Sequence, residues 1–135
     1  MSSELLATAI GARLHSYAPY SGFAVGAALR TRSGAVFSGA NIENISLGLT
    51  MCAERVCVGS ALAAGHRDFD ALAIAADSRK PIVPCGACRQ VLAEFAPGLR
   101  IFSRTVAGLE AELSLSDLLP HPKDGILEKF HVEHA

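Results

Sequence analysis

The sequence is poor in charge, in aromatic side chains and in long apolar runs. Charged residues make up 19% of its 135 residues, the formal net charge is -1, and the aromatic residues are six Phe and two Tyr. This balance offers little attraction for a phosphate backbone and few surfaces on which bases could stack, so it argues against nucleic-acid binding. Half of the residues are apolar, which argues against disorder. We expect a partner that is small, or another copy of the chain.

The chain also lacks the features of a membrane or exported protein. No apolar run reaches the roughly 18 to 20 residues that span a bilayer. Glu4 lies where a signal peptide would carry positive charge ahead of an apolar block. We therefore expect a soluble cytoplasmic protein. The length suits one domain over residues 1–135, and there is no repeat, linker or low-complexity tract to suggest a second.

The pattern of apolar residues and turn formers predicts alternating helices and strands. Three- and four-residue spacing of apolar residues predicts a first helix from Ser3 to about Tyr17, and Arg32-Ser33-Gly34 predicts the turn of a hairpin. The later elements are a helix in CAERVCVGSALAAG, a strand in DALAIAADS, a helix in GACRQVLAEFAP, and strands in LRIFSR and AELSL. This order favours a three-layer α-β-α sandwich around a mixed sheet of about five strands.

The four cysteines, Cys52, Cys57, Cys85 and Cys88, all fall in the middle third of the chain. A secreted disulfide scaffold would be shorter and would spread its cysteines along the chain, so reduced thiols that bind metal are favoured. Cys85 and Cys88 form a C-x-x-C unit at the predicted start of the third helix, where the i, i+3 relation places both sulfurs on one side. Taken alone, this unit is compatible with zinc binding, with redox chemistry or with simple burial.

Cys52 begins the second helix in the same way, so the two helix starts are predicted to face each other and to supply three thiolates to one metal ion. Cys57 follows Cys52 by five residues, which is about 140° around a helix, so we expect it to be a small core residue. Three protein ligands leave a fourth position for water, which is typical of a catalytic zinc rather than a structural one.

Glu54 and Arg55 complete the motif around the first cysteine. Glu54 lies two residues after Cys52, where its carboxylate could reach a metal-activated water as general acid and base, although a glutamate there also suits the helix dipole. Three thiolates make the site strongly negative, and an arginine that donates hydrogen bonds to the sulfurs would withdraw charge. The alternative for Arg55 is an ordinary surface arginine.

The segments CAER and PCGACRQ together resemble the cytidine deaminase family. Three further blocks, YAPYSGFAVGAAL, GANIEN and LLP, are similar to family segments and occur in the family order, so the resemblance covers most of the chain. The three-cysteine form and the short length are similar to the homotetrameric branch, in which active sites lie near subunit interfaces.

The resemblance implies a zinc-dependent hydrolase of pyrimidine salvage, which converts cytidine and 2'-deoxycytidine to uridine and 2'-deoxyuridine and releases ammonia. Cys52, Cys85 and Cys88 would hold one zinc ion per subunit. Hydroxide would attack C4 of the cytosine ring, while Glu54 passes protons to N3 and to the departing amine. Arg55 would moderate the charge on the sulfurs.

The resemblance also implies residues for substrate binding. Asn41 and Glu43 would hold the ribose 3'-OH, and if the strand continues through them their side chains share one face. Phe23 would pack on the pyrimidine, Ala53 would contact the base through its backbone, and Pro84 would lie beside the leaving amine. Without the resemblance, Asn41 and Glu43 would be interpreted as turn formers and Phe23 as a core residue.

One position differs from the family pattern. Many tetrameric members carry Phe three residues after LLP, where this chain has Lys123, so one aromatic wall of the pocket is expected to change; His121 or Phe130 are candidates to replace it. A modified cytosine nucleoside is therefore the alternative substrate. A free base is disfavoured, because it has no sugar for Asn41 and Glu43 to bind.

The alternative from another class is a structural zinc module or a regulator without activity. It would require a fourth ligand or the loss of the acid, whereas Glu54 is present and no fourth ligand has suitable spacing. The histidines are far from the motifs in sequence: His15, His66, His121, His131 and His134. We expect the last two to lie in a solvated tail. The roles of Arg89 and Gln90 do not follow from the sequence.

Overall fold

The computed structural model describes residues 2–124, which form five strands and four α-helices. The helices are α1 (Ser2–Ala12), α2 (Ala53–Ala63), α3 (Gly86–Phe95) and the short α4 (Leu115–Leu118). The strands are β1 (Val25–Thr31), β2 (Val36–Ala40), β3 (Phe69–Ala76), β4 (Arg100–Thr105) and β5 (Glu110–Ser114). The predicted order of elements is confirmed, including the additional strand. Phe130, His131 and His134 lie outside the described residues.

The strands form one mixed sheet in the order β2-β1-β3-β4-β5. β3 and β4 pair in parallel, with α3 in the crossover between them, and the other neighbours are antiparallel. β3 lies at the centre, where Ala71 to Ala76 are fully buried. Burial on both faces explains its nearly continuous apolar run, as predicted.

Helices cover both faces of the sheet. On one face, α1 packs against the side chains of β1, β3 and β4 that include Ala28, Ala73 and Phe102. On the other face, α2 and α3 cover the alternate side chains, with Leu29 and Ile74 in the larger apolar cluster. This arrangement confirms the predicted three-layer sandwich. It places the starts of α2 and α3 on the same side of the sheet.

The first helix is shorter than predicted. It ends at Ala12 and is followed by a 3-10 turn over Arg13–His15, whereas the sequence predicts a helix to about Tyr17. Leu14 is 79% exposed and Tyr17 56% exposed, so their apolar spacing does not mark a core face. The helix does not continue to Tyr17, because the backbone of Tyr17 pairs with a distant segment instead. Its N–H donates to Asn41 O, and its carbonyl accepts from Glu43 N–H.

Gly39 allows α2 to lie unusually close to β2. A Cβ at this position would meet the Ala53 carbonyl oxygen at 2.9 Å and the Cys57 backbone nitrogen at 3.0 Å. Contacts this short are repulsive, so only glycine lets the first turn of α2 rest directly on the strand. The height of this turn above the sheet sets the position of Cys52 and Glu54, which lie at its start.

Candidate metal centre and active site

Three sulfurs converge where α2 and α3 begin. Cys52 immediately precedes α2 and Cys85 immediately precedes α3, each with extended backbone, and Cys88 lies in the first turn of α3. The three Sγ atoms lie within 4.8 Å of one another. The prediction that the two helix starts bring these sulfurs together is confirmed. Cys57 is fully buried in the apolar cluster of α2 and α3, which agrees with its predicted core role.

The separation of the sulfurs fits ligands that share a zinc ion. Two thiolates bound tetrahedrally at about 2.3 Å lie about 3.8 Å apart, whereas the sulfurs of a disulfide lie about 2.05 Å apart. Cys52 Sγ and Cys85 Sγ are 3.8 Å apart, and all four cysteines are free. The donor set is therefore suited to zinc, which prefers thiolate ligands.

The thiols of Cys85 and Cys88, at the start of α3, have pKa values shifted in opposite directions. Partial burial acts to raise the pKa of the Cys85 thiol, but hydrogen bonds from the Cys88 backbone and side chain, from Cys52 and from the Ala87 backbone outweigh it and lower the pKa. Burial, followed by the nearby charge of Glu54, raises the pKa of the Cys88 thiol far above its usual range. A bound cation would favour the thiolate at both positions, because zinc binds deprotonated cysteine.

Glu54 is a buried carboxylic acid beside the sulfur cluster. It is 4% exposed and lies close enough to the Cys88 thiol for its charge to raise the pKa of that thiol. Burial raises the pKa of its carboxyl, although the positive charge of Arg55 opposes the shift. A glutamate that served only the helix dipole would gain by remaining in water. Its burial next to the sulfurs suits a group that takes up and returns a proton.

Arg55 lies against the sulfurs rather than in solvent. Its Nη2 donates to Cys52 Sγ at 3.6 Å and to the Thr50 carbonyl oxygen at 3.2 Å. The hydrogen bond to Cys52 is the main cause that raises the pKa of the guanidinium. The geometry therefore agrees with the predicted role of drawing charge from the thiolates and disagrees with an ordinary surface arginine.

Asn41 and Glu43 hold the segment that carries Phe23. The Asn41 amide oxygen accepts from Val25 N–H at 2.9 Å and from the Ser16 hydroxyl, and its amide nitrogen donates to the Phe23 carbonyl at 2.8 Å. β2 ends at Ala40, so the condition that the strand continues through Asn41 and Glu43 is not met, and only Ile42 between them forms isolated bridges. The strand stops because the chain turns to pair with residues 17 and 51.

Glu43 is held by a turn of the same segment. Its carboxylate accepts from Tyr20 N–H at 2.9 Å and Ser21 N–H at 3.1 Å, and also from the Ser21 hydroxyl. The hydrogen bond from the Ser21 side chain is the main cause that lowers the pKa of the Glu43 carboxyl. The Ser21 oxygen in turn accepts from Phe23 N–H at 3.0 Å. Ser21 thus joins Glu43 to Phe23, a link that sequence spacing did not reveal.

The remaining predicted substrate residues flank the sulfurs. Ala53 is fully buried directly after Cys52, and Pro84 is fully buried directly before Cys85. Phe23 is 40% exposed, so it is not the core residue of the alternative interpretation.

Side chains of α3 contact the residue before Cys85 and the segment that follows α4, and sequence reasoning missed these contacts. Arg89 Nε donates to the Pro84 carbonyl at 2.7 Å and Gln90 Nε2 to the Pro122 carbonyl at 3.0 Å. Lys123 Nζ lies 3.5 Å from a carboxylate oxygen of Glu94. The lysine at the position where many family members carry phenylalanine therefore forms a half-exposed ion pair with α3.

Comparison with known proteins assigns the family. Residues 1–103 match the model of the cytidine and deoxycytidylate deaminase zinc-binding region. The chain belongs to this family. It is 49% identical over 117 residues to a cytidine deaminase of Halalkalibacterium halodurans, which covers 86% of this chain and 89% of the relative. Membership makes it a zinc-dependent hydrolase, and the three sulfurs supply the metal site that the family requires.

Two further comparisons bear on fold and on chemistry. The crystal structure of cytidine deaminase from Burkholderia pseudomallei superposes with a TM-score of 0.86 at 48% identity and covers 89% of this chain and 97% of that one. A blasticidin-S deaminase of Bacillus cereus is 31% identical over 104 residues, covering 71% of this chain and 74% of the relative. The deaminase family therefore includes relatives of this chain that carry different substrate names.

Proposed function

We propose that the chain catalyses the hydrolytic deamination of cytidine and 2'-deoxycytidine to uridine and 2'-deoxyuridine with release of ammonia, in pyrimidine salvage. The observation that carries this proposal is the buried Glu54 carboxyl beside three converging sulfurs. The high identity to a cytidine deaminase over most of both chains supports the choice of substrate.

The chemistry follows from the residues at the site. Zinc held by Cys52, Cys85 and Cys88 would act as a Lewis acid with one position left for water. Glu54 takes one proton from the attacking water and passes it to N3 of the ring, then takes the proton of the hydroxyl formed at C4 and passes it to the departing amine. Burial raises the pKa of the Glu54 carboxyl, which makes its carboxylate a stronger base toward a water molecule beside it. Arg55 reduces the negative charge that three thiolates would place on the metal.

Substrate recognition is assigned to the segment around Phe23. The Glu43 carboxylate would accept a hydrogen bond from the sugar 3'-OH, and the Asn41 amide would donate one to it. The exposed Phe23 ring would cover the pyrimidine. The carboxylate oxygen of Glu43 that accepts from the Ser21 hydroxyl retains a second lone pair for a sugar hydroxyl. Ala53 and Pro84, on either side of the sulfur cluster, would contact the base and the leaving amine.

A modified cytosine nucleoside is the second candidate substrate. Two observations favour it: a relative named blasticidin-S deaminase, and Lys123 in an ion pair with Glu94 where the family often has phenylalanine. A structural zinc protein is disfavoured, because the cluster within residues 2–124 offers three ligands and includes a buried acid beside them. Small nucleosides are the substrate class in both enzymatic cases.

We also propose that residues 1–135 form a single deaminase domain which assembles as a homotetramer in the cytoplasm. The segment before α2 exposes large apolar side chains: Ile45 is 81%, Leu47 72% and Leu49 67% exposed. Neighbouring apolar side chains exposed to this degree are typical of a surface that another protein covers. Within the described residues, no helix combines the length and apolar character needed to cross a membrane.

The test is a substrate panel with the purified zinc-loaded protein. Cytidine, 2'-deoxycytidine, cytosine and blasticidin S are incubated separately while ammonia release and zinc content are recorded. We expect fast turnover of the two nucleosides and none of free cytosine. Full zinc occupancy without turnover of any compound would refute the proposal, and preference for blasticidin S would select the second candidate. Light scattering measures the assembly in the same preparation.

A further inference from the structure

Arg89 holds two successive carbonyl groups at the start of α3. Its backbone N–H donates to the Cys85 carbonyl at 2.9 Å, as in any helix, and its Nε donates to the preceding Pro84 carbonyl at 2.7 Å. A bond of this length from a guanidinium is charge-assisted and stronger than one between neutral groups. The peptide plane between Pro84 and Cys85 is therefore fixed by a side chain that lies one helical turn further along.

Cys85 needs this support more than the other two thiols. It is exposed, whereas Cys88 is fully buried and Cys52 is partly buried and contacted by Arg55. Residues 77–85 contain no helix or strand, so regular backbone hydrogen bonds do not fix the approach to Cys85. The Ser103 hydroxyl anchors this segment at the Ile82 carbonyl, and Arg89 anchors it next to the ligand.

The same guanidinium reaches the end of α4. Arg89 Nη1 lies 3.5 Å from the Leu118 carbonyl oxygen, and Gln90 on the next position of α3 binds the Pro122 carbonyl. The guanidinium has several donors in a rigid plane, so its Nε and Nη1 atoms can donate to two separate carbonyls at once. Arg89 thus joins the peptide before the metal ligand to the segment after β5.

We propose that Arg89 is a positioning residue that fixes the Cys85 backbone in the orientation required to bind zinc and couples it to the end of α4. It is not among the proposed zinc ligands or substrate-binding residues, and it acts through the Pro84 carbonyl. The inference rests on the zinc site and not on the identity of the nucleoside, so measurements on the metal test it independently of turnover.

The experiment compares zinc release from the wild type, Arg89→Met, Arg89→Lys and a control, Arg79→Met. Methionine keeps a long apolar stem without donors, and lysine keeps one charged donor. Arg79 is an exposed arginine of the irregular segment, and its replacement removes the same charge. Each full-length holoprotein is mixed with excess chromogenic chelator, and the rate of zinc transfer is recorded. Cobalt-substituted samples report the coordination geometry through their thiolate absorption bands.

We expect Arg89→Met to release zinc about tenfold faster than the wild type, since groups that orient ligands typically contribute 10- to 100-fold to metal affinity. The cobalt bands should shift in this variant. Arg89→Lys should lie between it and the wild type, and Arg79→Met should match the wild type. If Arg89→Met does not fold, Arg89→Lys becomes the test variant, and we expect it to release zinc about two- to threefold faster than the wild type.

Equal release rates and cobalt spectra in the wild type and in the folded Arg89 variant would overturn the inference. So would an Arg89 variant that only lowers the free energy of unfolding in urea and leaves both metal measurements unchanged, because that result describes a merely structural residue. A wild type that retains zinc and deaminates no compound would overturn the proposed function and leave this inference intact.

Discussion

Arg55 Nη2 lies 3.6 Å from the sulfur of Cys52, at the distance of an N–H to thiolate hydrogen bond. The same nitrogen donates to the Thr50 carbonyl, so the guanidinium is oriented from the loop before α2 as well as from the helix. A cation held in this way lowers the electron density on one thiolate and makes the metal a better Lewis acid. The contact supports the proposal that Arg55 moderates the charge on the thiolates, a role distinct from those proposed for Cys52 and Glu54.

Replacement of Arg55 by Gln should therefore leave the fold intact and weaken the metal site. Glutamine retains a polar side chain but loses the charge and the reach to Cys52. We expect zinc affinity or turnover to fall by about tenfold or more, measured by chelator competition and by ammonia release. Arg32, an exposed arginine paired with Asp68, provides the matched control as Arg32→Gln. If Arg55→Gln had the zinc affinity and the turnover of the wild type, the proposal that Arg55 draws charge from the thiolates would be wrong.

Glu54→Gln should bind zinc normally and lose turnover. The amide is nearly isosteric, so packing against Cys88 is preserved, but it cannot accept and return a proton. We expect kcat to fall by about 100-fold or more, the usual contribution of a positioned general acid and base. Zinc content is measured beside the rate, with Glu4→Gln on the exposed part of α1 as control. A near-normal rate would remove Glu54 from the proton transfer.

The cysteines should separate into a metal-binding set and one inert thiol. Cys85→Ala should lose zinc and turnover together, whereas Cys57→Ala should keep both. Burial raises the pKa of Cys57 to about 12, so its thiolate is scarce at neutral pH and the thiol should react slowly. Titration of the metal-free protein with a disulfide reagent at pH 8 should show fast reaction of the exposed Cys85, whose pKa is lowered, and slow reaction of the buried Cys57 and Cys88, whose pKa values are raised. Four equally fast thiols would contradict the assignment.

The proposed contact of Glu43 with the sugar 3'-OH can be tested with a nucleoside that lacks this hydroxyl. If its carboxylate binds the 3'-OH, Glu43→Gln should raise KM for cytidine and have a smaller effect on 3'-deoxycytidine, which lacks the partner group. A role confined to the turn at Ser21 would instead affect both substrates equally. Ser21→Ala is the companion variant, because it removes the hydroxyl between Glu43 and Phe23 and leaves the carboxylate in place. The measurement is the ratio of kcat/KM for the two nucleosides.

Gly39→Ala should displace the first turn of α2 and weaken zinc binding. The added methyl group meets backbone atoms of Ala53 and Cys57 that cannot move independently of the helix. We expect a destabilisation of about 1 to 3 kcal/mol, typical of overpacking, together with faster zinc loss. Gly59→Ala within α2 is the control, since a Cβ there meets nothing within 4 Å and alanine favours helix. Urea unfolding and chelator assays distinguish the two variants.

The fold was largely predictable because its elements have strong local signals. The nearly unbroken apolar run of β3 and the glycine that follows α2 with positive φ both mark elements whose local preference agrees with their tertiary environment. The first helix was overextended because Leu14 and Tyr17 continue its spacing while long-range pairing to Asn41 ends it. The four-residue α4 has too little periodicity to be recognised.

The sequence by itself determined the chemistry: two cysteine motifs at helix starts, an acid and an arginine in the first of them, and a family resemblance that names the reaction. Residue type and short spacing suffice for this, because each cysteine motif lies within the first turn of its own helix and Glu54 shares that turn with Cys52. Only the tertiary structure decided how close the three sulfurs lie, that Asn41 and Glu43 hold the Phe23 segment, and that Arg89 anchors the peptide before Cys85. Those contacts join residues distant in sequence or use backbone carbonyls, which every residue carries and no motif can reveal.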